Sequence, residues 1–320
     1  MLRTVLTTEW GLRYPIIGAP MAGAAGGALA AAVTRAGGLG MIGVGSQATT
    51  EFVLQEAEVA AEAGPFGIGL MVWALAERPD LLEATVYTRP YLVSLSFGDP
   101  SPYVSRCHAS GILVATQVHS REDATAAERA GVDLIVVQGN EAGGHTGTVA
   151  TLPLLQIVLD AVSVPVVAAG GIAAPTGVAA ALAAGAVGVW IGTALLACAE
   201  SMHSAAARQR ILDSLETGTL WTHLYDDVQG LAWPQAYAGR ALANAFTRRW
   251  DEPGARHASN SQAAEAFRTG RGDYDIDYIY AGQAVGLVQR KSTAGDVIRH
   301  LGTGAEAVLR ERLISLLVAL

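Results

Sequence analysis

The sequence predicts a parallel (β/α)8 barrel, a TIM barrel, with a C-terminal helical extension packed on it. Apolar runs short enough for strands recur between Tyr14 and Gly192, alanine-rich helical stretches separate them, and a glycine closes most of those helices. The repeat is roughly 20 to 27 residues, enough for a strand, a crossover helix and two short loops. A doubly wound open sheet is the alternative reading of the same alternation. Internal similarity favours closure: GAPMAGAAGGALAAAVTRAGGLGMIGVG and AAGGIAAPTGVAAALAAGAVGVWIGTA share the order strand, glycine loop, alanine helix, glycine, strand.

In chain order, Tyr14 to Ala19 reads as the first strand and Ala28 to Ala36 as a helix stopped by Gly37, which supplies a left-handed cap before the strand Leu39 to Val44. The same punctuation, Ala63-Gly64, Ser110-Gly111, Ala130-Gly131 and Ala184-Gly185, precedes FGIGLMVW, ILVATQV, DLIVVQ and AVGVWIG. Two further strands are introduced by proline, YLVSLSF after Pro90 and VPVVAAG at Pro165, which brings the count to eight. Residues 1–200 are thus expected to form the barrel. Residues 201–320 are expected to complete that domain and cover the site: a helix over Ser204 to Leu215, an aromatic stretch with Pro234, a helix ending near Trp250, the acidic, tyrosine-rich DYDIDYIY, and one or two closing helices over Thr293 to Leu320.

Composition excludes several classes. With 51% hydrophobic and 16% charged residues and 37 glycines, the chain reads as globular with a large core. A net charge of −8 and the absence of a basic run argue against nucleic-acid binding, and Arg208, Arg210, Arg248 and Arg249 read as solvated helix faces. Cys107 and Cys198 lack zinc or disulfide spacing, and the N-terminus lacks a signal-peptide core, so a cytoplasmic protein without a metal site is expected. Ala161 to Ala199 carries no charge, but its prolines and glycines cut it into pieces too short to span a bilayer. Gly38, Gly40 and Gly43 match G-x-G-x-x-G, yet they follow a helix and enter a strand, the reverse of the dinucleotide-binding context.

The candidate active site is DLIVVQGNEAGGHTG, Asp133 to Gly147. A buried strand runs into a loop carrying Gln138, Asn140, Glu141 and His145, with Gly143 and Gly144 letting the backbone approach a flat ligand. The plain alternative is a connecting loop with a surface histidine. Barrel sites lie at the C-terminal strand ends, and the loops after the seventh and eighth strands commonly bind phosphate. Gly170-Gly171 and Gly192-Thr193 occupy those two loops; one glycine pair is ordinarily only a tight turn, but two at adjacent strand ends point to an anion.

These motifs together resemble the nitronate monooxygenase family, also called 2-nitropropane dioxygenases: QGNEAGGHTG, GAPM after strand one, AAGGIA after strand seven, IGTALL after strand eight and AGQAVGLV near the end. The resemblance implies an FMN-dependent enzyme that oxidises alkyl nitronates, and nitroalkanes, with molecular oxygen. It implies that Pro20 and Met21 line the isoalloxazine, that Gln117, Gln138, Gly143 and Gly144 approach the flavin, and that Gly170, Gly171, Gly192 and Thr193 hold its phosphate. His145 is implied as the base. One departure stands out: Gly69 occupies a strand-three position where such proteins often carry asparagine.

The residue chemistry agrees. A nitroalkane carbon acid needs a base active near neutral pH, and histidine is one. Glu141, four residues earlier, is a candidate to orient its imidazole, and Gln117 or Gln138 could stabilise charge on a reduced flavin. Two alternatives remain open: an NAD(P)H-dependent flavin reductase of the quinone or enoyl-thioester type, and a barrel that binds FMN or a phosphometabolite without turnover.

Overall fold

A computed structural model of the 320-residue chain describes residues 2–251 and 261–317. In chain order its strands are β1 (Ile16–Gly18), β2 (Met41–Gly43), β3 (Gly67–Met71), β4 (Leu92–Ser96), β5 (Leu113–Val118), β6 (Leu134–Gln138), β7 (Gly144–Thr146), β8 (Val166–Ala169), β9 (Gly188–Ile191), β10 (Thr219–Thr222) and β11 (Ala238–Leu242). All but β7, β10 and β11 form one parallel sheet in the order β1-β9-β8-β6-β5-β4-β3-β2. A parallel bridge between Ile17 and Leu39 joins its two edges, so the sheet closes as the eight-stranded barrel the sequence predicts.

The strands are apolar on both faces because each face has its own core. Ile17, Met41, Leu92, Leu134, Val136 and Val167 fill the interior, with Leu6 of the N-terminal turn fully buried at one end. Ile42, Ile68, Val93, Val114, Ile135 and Val189 face the surrounding helices. The three glycines that mimic a dinucleotide motif serve this packing: a side chain on Gly40 would strike the backbone of Ala30, and one on Gly43 the backbone of Met21. The uncharged stretch from Ala161 to Ala199 divides into β8, the helix Pro175–Ala183 and β9. Among the described residues no helix is long and apolar enough to cross a membrane.

The extension departs from expectation in one respect. It is not wholly helical, for β10 and β11 pair antiparallel, and β11 pairs in turn with β7 in the loop after β6. Alternation over the four residues of β10 is too brief to announce a strand, and the second partner of β11, β7, lies far away in sequence. The closing helix is single, Ala294–Leu317, and Ile298, Leu301 and Ala305 on it join the outer core; the last three residues of the expected range lie outside the described ones.

Candidate active site

The C-terminal strand ends surround a cavity of about 750 Å³, within the size range of ligand sites. Of the residues singled out from the sequence, Pro20, Met21, Gln117, Gln138, Gly143, Gly144, His145, Gly170, Gly171, Gly192 and Thr193 line it, whereas Asn140 and Glu141 do not.

At one end, Gly170 and Gly171 turn at φ +106° and +69°, a backbone path that exposes peptide groups and that side chains rarely follow. The Thr151 hydroxyl donates to the Ala169 carbonyl at 3.0 Å just before this turn. Gly192 leads into the 3-10 turn Thr193–Leu195, and the Gly282 N–H donates to Thr193 Oγ1 at 2.9 Å. AGQAVGLV therefore braces the second glycine loop. It braces the first part of the site too, since a Cβ on Gly143 would come 2.7 Å from the Gly282 nitrogen, so only two bare backbones can meet there.

In the middle, Gly69 explains itself. A side chain at this position would overlap the Pro20 ring, so glycine lets the first loop pack directly against β3. Beside it, Ser94 and Ser96 of β4 are buried and share a 2.8 Å hydroxyl contact, and the Gln117 N–H donates to Ser96 Oγ at 3.1 Å. Gln138, at the end of β6, accepts at Oε1 from His119 Nε2, 2.8 Å away.

His145 lies in β7, opposite Gly239 of β11, and is 7% exposed. Its Nε2 sits 3.0 and 2.9 Å from the two carboxylate oxygens of Asp226, itself 3% exposed. Because a carboxylate only accepts, Nε2 carries a proton, which in the neutral ring leaves the lone pair on Nδ1. The Trp233 indole stacks on the imidazole with centroids 3.4 Å apart and planes 5° from parallel, which fixes the ring's tilt. Tyr280 approaches from another side at 5.4 Å. Burial and the neighbouring Asp226 carboxylate push its phenol well above the usual tyrosine range, so it remains an O–H donor.

The orienting carboxylate is thus Asp226 and not Glu141. Both Glu141 oxygens accept from the Thr151 N–H, at 3.1 and 3.2 Å, where they cap the helix Thr151–Leu159. Helix capping wins because the chain turns sharply at Gly143 and Gly144 and carries His145 away into β7. The sequence reading also missed Trp233, Tyr280, Phe97, Ser94 and Ser96. Asp226 stands 81 residues after its partner and shares no motif with it. Phe97 is the one whose conformation is unusual, a non-glycine residue at φ +65° at the end of β4.

Barrel, glycine loops and buried histidine together define an enzyme of the flavin oxidoreductase class. The chain belongs to the nitronate monooxygenase family, whose model it matches over residues 3–304. A nitronate monooxygenase of Pseudomonas aeruginosa is 32% identical, over 91% of this chain and 96% of that one. A carboxyl-CoA dehydrogenase of Rhodococcus jostii, named for a hydroxylated octahydroindene substrate, is 29% identical over 97% of each. Among solved structures, FabK from Thermotoga maritima superposes with a TM-score of 0.86 at 29% identity, covering 99% of this chain and 100% of that one. A nitroalkane oxidase from Streptomyces ansochromogenes does so at 0.80 and 30%, covering 97% and 100%.

Proposed function

We propose that the protein is an FMN-dependent oxidoreductase that oxidises alkyl nitronates, and nitroalkanes, with molecular oxygen. The observation that carries the proposal is the buried His145–Asp226 pair at the wall of a cavity that two glycine loops also line. The residues present fit the cofactor: Gly170, Gly171, Gly192 and Thr193 offer backbone N–H groups and a hydroxyl to a phosphate, and Pro20, Met21, Gln117, Gln138, Gly143 and Gly144 line the space for a flat ring system. When bound, flavin supplies an acceptor for the electron pair that can pass it on to oxygen.

The protein's own part is proton chemistry. His145 Nδ1 accepts the α-proton of a neutral nitroalkane while Asp226, on Nε2, offsets the charge the ring acquires. Tyr280 and the aromatic cover over His145 exclude water, which strengthens that pairing. We read residues 1–200 as the FMN-binding barrel and 201–320 as the part that completes it and covers the site. The two unpaired, buried cysteines agree with a cytoplasmic home.

A second reading is supported by the FabK likeness and by the CoA-linked relative: an NAD(P)H-dependent reductase of an enoyl thioester or a quinone. One experiment separates the two. The visible spectrum of the purified protein reports flavin, and anaerobic mixing with ethyl nitronate, and separately with NADH, reports which one bleaches it. Bleaching by NADH alone overturns the nitronate assignment, and a protein that neither carries nor rebinds FMN overturns both.

A further inference from the structure

We propose that His119 is a positioning residue that fixes which end of the Gln138 carboxamide faces the cofactor cavity. The proposal rests on the reading of that cavity as an FMN site. Gln138 lines the cavity and His119 does not, but its Nε2 meets Gln138 Oε1 at 2.8 Å; Phe97, which stacks on His119, lines the cavity as well, and a contribution through it would persist when Gln138 is replaced.

A carboxamide has two ends of nearly equal size, one an acceptor and one a double donor, so its orientation is set by what it meets. The His119 ring cannot adapt to it. It is 6% exposed and stacks on Phe97 with centroids 6.0 Å apart, and Tyr237 covers it at 4.9 Å. Gly147 lies so near that a Cβ there would come 2.6 Å from the His119 Cβ. Its Nδ1 is buried with no hydrogen-bond partner among the described residues. If Nδ1 carried the proton, an N–H donor would be buried with nothing to accept it, the form that folded proteins most strongly avoid. The proton therefore belongs on Nε2, where it is donated to Gln138 Oε1. Burial also holds the imidazole's pKa below its usual value, so the neutral ring persists.

The consequence is that the Gln138 amide nitrogen turns towards the cavity. There its N–H groups stabilise negative charge that develops on a bound ring system, and stabilise it more than the uncharged ring. His119 thus tunes the cofactor without touching it, at the cost of leaving Nδ1 unpaired.

Four proteins test this: wild type, His119→Leu, Gln138→Leu and the double variant, each loaded with FMN. The readouts are the midpoint potential and the dissociation constant for oxidised FMN. His119→Leu is expected to weaken binding of reduced relative to oxidised FMN by about tenfold, which for a two-electron couple lowers the potential by about 30 mV. In the Gln138→Leu background the same change should add nothing, because the route runs through that amide. An unchanged potential in His119→Leu, or an equal shift in both backgrounds, overturns the proposal. A second measurement needs neither a variant nor cofactor: ¹⁵N NMR of the FMN-free wild type should show His119 protonated on Nε2, and an Nδ1-protonated ring overturns it. Failure of the wild type to bind FMN would instead overturn the reading of the cavity, and NMR would still report the tautomer.

Discussion

Replacing Asp226 by asparagine probes the assignment of His145 without disturbing the shape of the site. The amide is the same size and its Oδ1 can still accept from Nε2, so the ring keeps its tautomer. What disappears is a negative charge 2.9 to 3.0 Å from Nε2, within a pair in which both side chains are under a tenth exposed. Once His145 has taken a proton, that charge attracts the imidazolium by up to about 4 kcal/mol, taking charge centres ~4 Å apart and an effective dielectric near 20. Each 1.36 kcal/mol is tenfold in rate, so the ceiling is about 10³-fold. Partial proton transfer in the transition state brings the expected loss on neutral nitroethane to about 10²-fold. Preformed ethyl nitronate has already lost the proton, and its oxidation should change by no more than about threefold. The assay is anaerobic flavin reduction by stopped flow with each substrate form, at a pH where both persist. His145→Ala should show the same split. Equal losses on the two forms would refute the assignment, since the pair would then be binding substrate or holding the cofactor. Melting temperatures accompany the kinetics, because breaking a buried pair also destabilises the fold.

Gly171→Asp should abolish FMN binding in a titration while circular dichroism stays native. The position has φ +69°, its Cβ would come 3.3 Å from Glu141 Cγ, and the new carboxylate would face both Glu141 and the phosphate; Gly171→Ala, with only the backbone strain of about 1–2 kcal/mol, calibrates the part due to conformation. Gly69→Asn should lower the melting temperature rather than restore a flavin contact, because its Cβ overlaps Pro20, and overpacking of this kind costs roughly 1–3 kcal/mol. Burial pushes the Cys107 and Cys198 thiols up to about 11 and about 12 from an ordinary 9.0. The folded state therefore holds these protons longer than the unfolded one, so their stabilisation is intact below pH 9.0 and is lost as pH rises through about 11 to 12. Native protein should accordingly resist iodoacetamide at pH 8, and alkylation as fast as in urea would contradict the burial.

The barrel was legible because its signals are local. Gly37, Gly64, Gly111, Gly131 and Gly185, read as helix-ending glycines, all have positive φ, from +72° to +113°. Apolar runs doubled as strands because both faces are buried, and the loops after β8 and β9 were marked by the glycines that bring their backbone to the cavity. The surroundings of His145 were not legible, for the opposite reason. β7 is three residues long and exists only because β11 pairs with it, and the carboxylate at Nε2 comes from a short helix, Leu224–Gln229, with no spacing relation to the histidine. Glu141 was the nearest carboxylate in sequence, yet a helix N-terminus offered it a better partner.

This division bears on function. The residues proposed to hold the phosphate and ring, Pro20, Met21, Gln117, Gln138, Gly143, Gly144, Gly170, Gly171, Gly192 and Thr193, line the cavity and all lie before residue 200. Of the described groups that hydrogen-bond or stack with the His145 ring, Asp226, Trp233 and Tyr280 come from the extension and Phe97 comes from the barrel. The likeness to FabK covers 99% of this chain, barrel and extension alike, so it does not by itself separate the cofactor from the reaction. On the proposed reading, the extension bears on the reaction where it meets β7, because there it sets Asp226 on Nε2 and packs Trp233 and Tyr280 against the ring. Substitutions at Asp226 or Trp233 should consequently change which substrate reduces the flavin while leaving FMN affinity near that of the wild type, and a parallel loss of both would place these residues in the cofactor site instead.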